Sequence, residues 1–225
     1  MLVAQEKPEA STLSEKQQAK TEITLQAEKG KHHNHPLYAV WLADSNGQYI
    51  QTLFVSESIG KGVFKRGSRR TGRWMPGEIE RPASLPYWIH QRSILNEKGT
   101  LLPTSRSPVA DAYTGATPKG SFTLRLQSDE PLQGKYRIYL EVNQSWDWNN
   151  YWTNNRYPGN KEYMTSSQPA VVYVAEIDSN KPGTSTPLTP IGHSHYAGES
   201  GELFTDLSTL TTALEILKMA TVTIR

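Results

Sequence analysis

Apolar residues recur at every second position along much of the chain, which is the pattern of β-strands that bury one face. Residues 21–27 follow this pattern, and residues 37–44 are apolar on both faces. The sequence Asp-Ser-Asn-Gly at 44–47 is typical of a tight turn and predicts a hairpin with a return strand over 48–56. This part of the chain is therefore predicted to be antiparallel β-structure.

Two more alternating segments, 122–127 and 136–142, predict a second hairpin. In the second strand Ile138 and Leu140 lie on one face and are expected to pack on a core. The opposite face, which carries Glu141, is expected to meet solvent.

The remaining segments follow other patterns. Residues 59–84 are rich in glycine and basic residues and are predicted to form a long loop, and residues 85–95 a short helix begun by Ser84 and Pro86. Buried strands are predicted at 169–177 and 219–225. An amphipathic helix is predicted from leucines spaced by three and four residues, which are Leu203, Leu207, Leu210, Leu214 and Leu217.

Seven or so short strands, without a regular alternation of strands and helices, predict an all-β fold. We expect an immunoglobulin-like β-sandwich with long loops and at most one or two short helices. Residues 1–20 contain hardly any large apolar side chain, so they are predicted to form a flexible lead-in. Residues 21–225 are then predicted to form a single β-sandwich domain.

Composition excludes several classes of function. The chain has 225 residues, a net charge of +2 and no cysteine. Disulfides, thiolate metal sites and cysteine nucleophiles are therefore excluded, and the mild charge does not indicate nucleic-acid binding. No apolar run approaches the roughly 20 residues of a membrane span, so any membrane contact is expected to be peripheral. Leu2 to Ala4 is too short for the core of a signal peptide, so if the protein is exported its targeting segment is expected to have been removed.

The most specific local pattern is DAYTGATP at 111–118. It resembles the acceptor motif of flavoproteins that carry FMN on threonine through a phosphoester. The resemblance implies that Thr117 is the acceptor hydroxyl and that a flavin transferase reads the other specified positions, which are Asp111, Thr114, Gly115 and Ala116. Small residues before Thr117 leave room for a second enzyme to reach it. The same residue types also form tight turns before strands, so a purely structural turn is the alternative.

A second resemblance rests on several motifs in a fixed order. They are HPLYAVWLADSNGQYIQTLFVS, RPASLPYWIHQRS, PVADAYTGATPKGSFTL, GKYRIYLEVNQSWDWN and SGELFTDLSTLTTA. Together they resemble a family of predicted periplasmic bacterial proteins of unknown function with an immunoglobulin-like domain that is also described as flagellar hook-cap-like. The resemblance covers residues 21–225 and implies a secreted, periplasmic or cell-surface protein. It also implies gene neighbours that encode flavin transferases and PepSY-type membrane proteins, and hence a membrane-linked flavin or haem redox system.

The stretch QSWDWNNYWTNN holds three of the six tryptophans. Parity with the preceding strand predicts that Trp146 and Trp148 face the core, with Tyr151 and Trp152 exposed beyond a turn. If the strand breaks at 143–145, the rings are free to form a platform that stacks on sugars. A carbohydrate- or surface-ligand-binding module using Trp148, Tyr151 and Trp152 is therefore an alternative function.

Histidines form two clusters that are candidate metal ligands. His32, His33 and His35 lie in one loop, and His193 and His195 lie in another. A shared zinc or copper site would need these loops to meet or His90 to join one of them, and otherwise the histidines are ordinary polar loop residues.

The basic residues between Lys61 and Arg73 form a further candidate site, which could face a flavin phosphate, anionic lipid or an acidic partner. A solvated loop is the alternative interpretation. No arrangement of serine, histidine and aspartate, and no carboxylate pair, argues for hydrolysis. We therefore expect a non-catalytic protein, either a redox-system component with FMN on Thr117, a binding module, or a purely structural or protein-interaction domain.

Overall fold

The computed structural model describes residues 20–225. Apart from Lys20, the predicted lead-in lies outside these residues. The strands of the described part are β1 (Glu22–Lys29), β2 (Leu37–Asp44), β3 (Tyr49–Ser56), β4 (Val63–Ser68), β5 (Met75–Glu78), β6 (Thr114–Gly115), β7 (Phe122–Gln127), β8 (Lys135–Asn143), β9 (Val171–Asp178), β10 (Ser185–Pro187), β11 (Thr189–His193) and β12 (Leu217–Ile224). The described residues contain three short α-helices, one more than predicted: α1 (Glu57–Gly60), α2 (Pro86–Arg92) and α3 (Lys161–Ser166).

Two sheets form the body of the fold. One has four strands in the order β10-β12-β1-β7, and the other has six in the order β11-β9-β8-β2-β3-β6. Strand β6 joins its sheet by a parallel pairing with β3, whereas the pairings between the other strands named above are antiparallel. Strands β4 and β5 form a separate hairpin.

The two larger sheets pack face to face over their alternating apolar side chains. In β1, Ile23 and Leu25 are fully buried. They share one core with Val40, Ile138 and Leu140 of the six-stranded sheet. This arrangement is an all-β sandwich, and it confirms the fold class that the alternation predicts.

The six-stranded sheet also buries its other face. Trp41 on β2 stacks on Tyr139 on β8, with ring centroids 5.1 Å apart and planes 7° from parallel. Leu85 and Trp88 from the region of α2 join them in a second core. The prediction that this face of β8 meets solvent is therefore wrong, because α2 and the segments around it cover the sheet.

Glu141 lies on this covered face and is completely buried. The oxygens of its carboxyl group accept the backbone N–H groups of Tyr87, at 3.1 Å, and of Trp88, at 2.7 Å. These N–H groups belong to the first turn of α2, where a helix offers them no partner. Glu141 therefore caps a helix from a distant strand, and its burial raises the pKa of its carboxyl to about 8.

Helix α2 confirms the predicted short helix, but the predicted loop at 59–84 is wrong. That segment contains the end of α1 and the β4–β5 hairpin. The hairpin strands approach unusually closely: a Cβ on Gly67 would lie 2.1 Å from the carbonyl oxygen of Gly77. These glycines permit the pairing while removing the side-chain alternation that reveals strands in a sequence.

The predicted second hairpin is also wrong, because its strands lie in different sheets. Strand β7 pairs with β1, and β8 pairs with β2 and β9. The chain between them crosses from one layer of the sandwich to the other. Alternation identified both strands correctly, but it carries no information about which strand each one pairs with.

The leucine-rich segment 203–217 does not form the predicted amphipathic helix. Its helical structure is limited to a 3₁₀ turn at Ala213–Glu215 before β12 begins, and Phe204 forms a β-bridge with His193. The Thr209 hydroxyl accepts the indole N–H of Trp152 at 3.1 Å, and the Thr212 hydroxyl donates to Asp147 at 2.7 Å. β-Branched residues that disfavour a helix are thus fixed by bonds to another segment.

Candidate functional site

The flavin-acceptor motif is divided among three local structures. Asp111–Tyr113 forms a 3₁₀ turn, Thr114–Gly115 forms β6, and the residues after them line a groove. The turn is closed by the Tyr113 N–H, which donates to the Ala110 carbonyl at 3.0 Å, and by the Thr114 hydroxyl, which donates to the Asp111 carbonyl at 3.4 Å. The turn therefore ends before Thr117, which is not part of it.

Gly115 is required by close packing against Phe54. A Cβ at this position would lie 2.7 Å from Cε2 of the Phe54 ring. Phe54 in turn belongs to the sandwich core. The glycine of the motif therefore fixes β6 against β3 and positions the next residues along the groove.

Thr117 is half-buried in the wall of a groove with a volume of about 520 Å³. Lys61, Lys65 and Lys119 also line this groove. Its apolar surface comes from Leu37, Val63, Phe64, Pro76 and Pro118. The groove thus combines a hydroxyl with cationic and apolar surfaces, which suits an anionic ligand that has an apolar part.

Lys61 differs from the other two lysines because it is paired with acids. Its ammonium lies 2.9 Å from Glu57 and 3.2 Å from Asp111. Hydrogen bonding to Glu57, and secondarily to Asp111, raises the pKa of Lys61. The ion pairs of the described residues do not include Lys65 or Lys119. The positive charges of these two lysines are therefore less neutralised than that of Lys61.

A second cavity, of about 510 Å³, reaches Ala112 and Tyr113 on another side of the motif. Its lining is mostly polar and does not include Thr117. The Tyr113 hydroxyl donates to Asp129 there at 2.6 Å. The hydroxyl of Thr117 therefore does not line this cavity, and the groove lined by Thr117 remains the candidate site.

The aromatic stretch has a different arrangement from the one that parity predicts. Strand β8 ends at Asn143, and Trp146 is 67% exposed, whereas Trp152 is only 5% exposed. Gln144 holds the chain at this break, since its side chain accepts the Asn34 N–H and donates to the His32 carbonyl. The predicted burial of Trp146 and exposure of Trp152 are therefore wrong.

Trp152 belongs to a cluster of rings rather than to an open platform. It packs near Tyr157, Tyr163, Tyr196 and His193. Trp148 is half-buried against Tyr163, and Tyr151 is exposed beneath the Arg156 guanidinium, 3.6 Å from its ring centroid. A sugar-binding role for Trp148, Tyr151 and Trp152 stays a prediction, but the Trp152 face is covered.

The half-buried side chain of Asn149 is hydrogen-bonded at both its carbonyl oxygen and its amide. Its carbonyl oxygen accepts the N–H groups of Tyr151 and Trp152, and its amide donates to Gln168 and to the Thr209 carbonyl. We expect Asn149→Ala to lower the free energy of unfolding by about 1–3 kcal/mol, because it leaves several polar groups without partners. Urea unfolding measures the change.

The neighbouring Asn150 is exposed and provides the matched control. Asn150→Ala is expected to change the free energy of unfolding by less than about 0.5 kcal/mol. Equal effects of the two substitutions would show that the Asn149 bonds do not hold this turn.

The histidines of the two clusters contact neighbouring side chains and backbone groups, and His32 also lies 3.2 Å from the distant Glu215. His33 lies 3.2 Å from the Tyr38 hydroxyl, and His193 contacts the Ser194 carbonyl at 2.8 Å. Burial lowers the pKa of both histidines. His35 lines the Thr117 groove, and His195 stacks on Tyr196. Among residues 20–225 no three histidine, aspartate or glutamate side chains are grouped so that they could hold a metal ion.

Among the sequence-predicted candidates, Thr117 and two basic residues of the segment 61–73, Lys61 and Lys65, line one groove. The sequence does not indicate that Phe64, Pro76 and Lys119 also line it, because they carry no local signal of a site. Within residues 20–225 no helix is both long and apolar enough to cross a membrane.

No protein-family model matches the chain, and no curated protein or solved structure is significantly similar to it.

Proposed function

We propose that this protein is a non-catalytic extracytoplasmic component of a membrane-linked redox system and carries FMN covalently on Thr117. The observation that carries the proposal is the position of Thr117 in a groove with three lysines and an apolar surface. The resemblance of residues 111–117 to the flavin-acceptor motif supports the same attachment point. The family resemblance supports the extracytoplasmic location, with a flavin transferase and a PepSY-type membrane protein as partners.

The residues around Thr117 fit a flavin nucleotide. The groove of about 520 Å³ lies within the range of roughly 300–1,000 Å³ typical of small-molecule sites. Lys65 and Lys119 offer ammonium groups to phosphate oxygens, and Phe64 and Pro76 offer apolar surface to a ring system. Bound flavin would supply reversible electron transfer, while the protein supplies attachment and surroundings.

Attachment requires FAD and a transferase. The Thr117 hydroxyl oxygen attacks the phosphorus on the flavin side of the FAD pyrophosphate, so that a new O–P bond forms. The pyrophosphate bond breaks and AMP leaves, while the hydroxyl proton passes to a base of the transferase. Thr117 therefore needs accessibility and small neighbours rather than activation within its own chain.

Co-production of the full chain with an FMN transferase tests this function. We expect the wild-type protein to acquire yellow colour and a flavin fluorescence that stays with the chain after denaturing electrophoresis. Protein produced without the transferase is the control and should be colourless. The proposal fails if no fluorescent band appears while the same transferase modifies an authentic acceptor protein in parallel.

The groove lysines are expected to assist attachment. We expect the double variant Lys65→Ala/Lys119→Ala to acquire flavin about tenfold more slowly, because phosphate oxygens lose charge-assisted partners worth about 1.4 kcal/mol. The measurement is the rate of fluorescence incorporation with purified transferase and FAD. Lys135→Ala/Lys181→Ala changes the net charge equally on exposed residues outside the groove. Equal rates in the two double variants would contradict a role for the groove lysines.

A further inference from the structure

The β4–β5 hairpin is strongly basic along its outer part. Between Val63 and Gly77 it has five basic residues and no acidic one; they are Lys65, Arg66, Arg69, Arg70 and Arg73. All five are exposed. Because the whole chain has a net charge of only +2, the rest of the chain is net negative. The hairpin is thus a localised positive charge on an otherwise acidic protein.

The same part of the hairpin exposes two large apolar side chains. Trp74 is 56% exposed, and the adjacent Met75 is 48% exposed. The Arg69 guanidinium lies over the Trp74 ring, 5.1 Å from its centroid. Basic residues next to an exposed indole suit the boundary between lipid headgroups and acyl chains, where the ring is partly buried and the charges meet phosphates.

The base of the hairpin is anchored to the body while its tip is exposed. The Arg81 guanidinium lies 4.6 Å from the Phe64 ring centroid, and the Ile79 N–H donates to the Gly62 carbonyl at 3.1 Å. At the tip, Gly72 adopts a positive φ of 79° and its N–H donates to the Arg69 carbonyl. The charged turn is thus presented by a short two-stranded ribbon.

We propose that the tip of the β4–β5 hairpin docks the protein on membranes rich in anionic lipid headgroups. The net negative charge of the rest of the chain disfavours other orientations on such a surface, so the hairpin faces the membrane. Lys65 and Pro76 belong both to the hairpin and to the wall of the Thr117 groove. Docking through the tip would therefore bring that groove close to the membrane surface, whether or not Thr117 carries flavin.

Vesicle binding by the full chain tests this proposal. The probes are vesicles of phosphatidylcholine alone and vesicles with about one third phosphatidylglycerol. We expect sedimentation with the anionic vesicles only, and release at high salt because the attraction is screened. In Arg69→Glu/Arg70→Glu the partition coefficient should fall by at least about 25-fold, since each basic residue near an anionic surface contributes roughly fivefold.

Two matched variants separate docking from general charge. Lys135→Glu/Lys181→Glu makes the same change in net charge away from the hairpin and should bind nearly as well as wild type. Trp74→Phe should lose much of the quenching of tryptophan fluorescence by anionic vesicles containing brominated lipid. The proposal is overturned if the wild-type protein does not bind anionic vesicles at low salt, or if it binds neutral vesicles equally well. It is also overturned if the two charge-reversal variants lose binding to the same extent. None of these outcomes depends on flavin attachment.

Discussion

Thr117→Ala is expected to abolish covalent flavin attachment during co-production with an FMN transferase. The substitution removes the only atom that can form the phosphoester at this position and changes little else, because Thr117 is half-buried in the groove wall and outside the core. Thr117→Ser restores a hydroxyl at the same place and should restore attachment. Fluorescence of the denatured chain, together with its intact mass, measures the outcome.

Thr123→Ala is the control for this comparison, because Thr123 is an exposed hydroxyl on the nearby strand β7. It should acquire flavin as wild type does. Flavin that remains on Thr117→Ala would contradict the assignment of the acceptor, even if the chain is a flavoprotein. Loss of flavin in Thr117→Ala with no recovery in Thr117→Ser would point to the shape of the groove rather than to the hydroxyl.

The stability of the protein is expected to fall as the pH rises from about 5 to about 8, because Glu141 is buried. Its pKa is raised from 4.5 to about 8 by burial, while the N–H groups of Trp88 and Tyr87 oppose the shift. Between these values the folded chain retains a proton that the unfolded chain has lost. The contribution of Glu141 to the free energy of unfolding therefore falls by on the order of 1 kcal/mol per pH unit in this range.

Glu141→Gln is expected to remove this slope, since an amide does not titrate. At pH 5 the variant should be about 1–3 kcal/mol less stable than wild type, because its NH₂ group faces one of the two backbone N–H donors. Urea unfolding across the pH range measures both effects. Glu176→Gln replaces an exposed glutamate on β9 and should keep the wild-type slope. A wild-type slope in Glu141→Gln would contradict the assignment to Glu141.

The strands could be predicted from sequence because their apolar alternation is local. The apolar positions of β1, Ile23 and Leu25, are buried as the alternation predicts. The burial of Glu141 could not be predicted, because the helix that covers it comes from a segment more than 50 residues away. For the same reason, alternation could not assign β7 and β8 to different sheets.

The tryptophans show where counting alternate positions along a strand fails to predict burial. Counting from β8 placed Trp146 inside, but the strand ends at Asn143 and Trp146 adopts a positive φ of 59°. Once the backbone leaves the extended conformation, the period of two no longer determines where a side chain points. Trp152 is buried among rings from other segments, including Tyr196, and Thr209, more than 50 residues away, accepts its indole N–H.

In the candidate site, the sequence predicts the acceptor threonine but not the groove around it. The acceptor motif is contiguous, so Thr117 could be identified from its neighbours in the chain. The groove depends on Phe64 and Pro76, which the β4–β5 hairpin brings together with Lys119. The pairing of strands β4 and β5 relies on Gly67 and Gly77, and these glycines remove the side-chain alternation that would reveal the strands in the sequence.

Peptide mapping of protein co-produced with an FMN transferase shows whether Thr117 carries the flavin. Trypsin cleaves after Arg106 and Lys119, so residues 107–119 form one peptide that contains the whole motif. We expect this peptide to carry one FMN, and its fragmentation to place the FMN on Thr117. FMN on Ser107, Tyr113 or Thr114, or an unmodified peptide from a transferase that modifies an authentic acceptor, would contradict it.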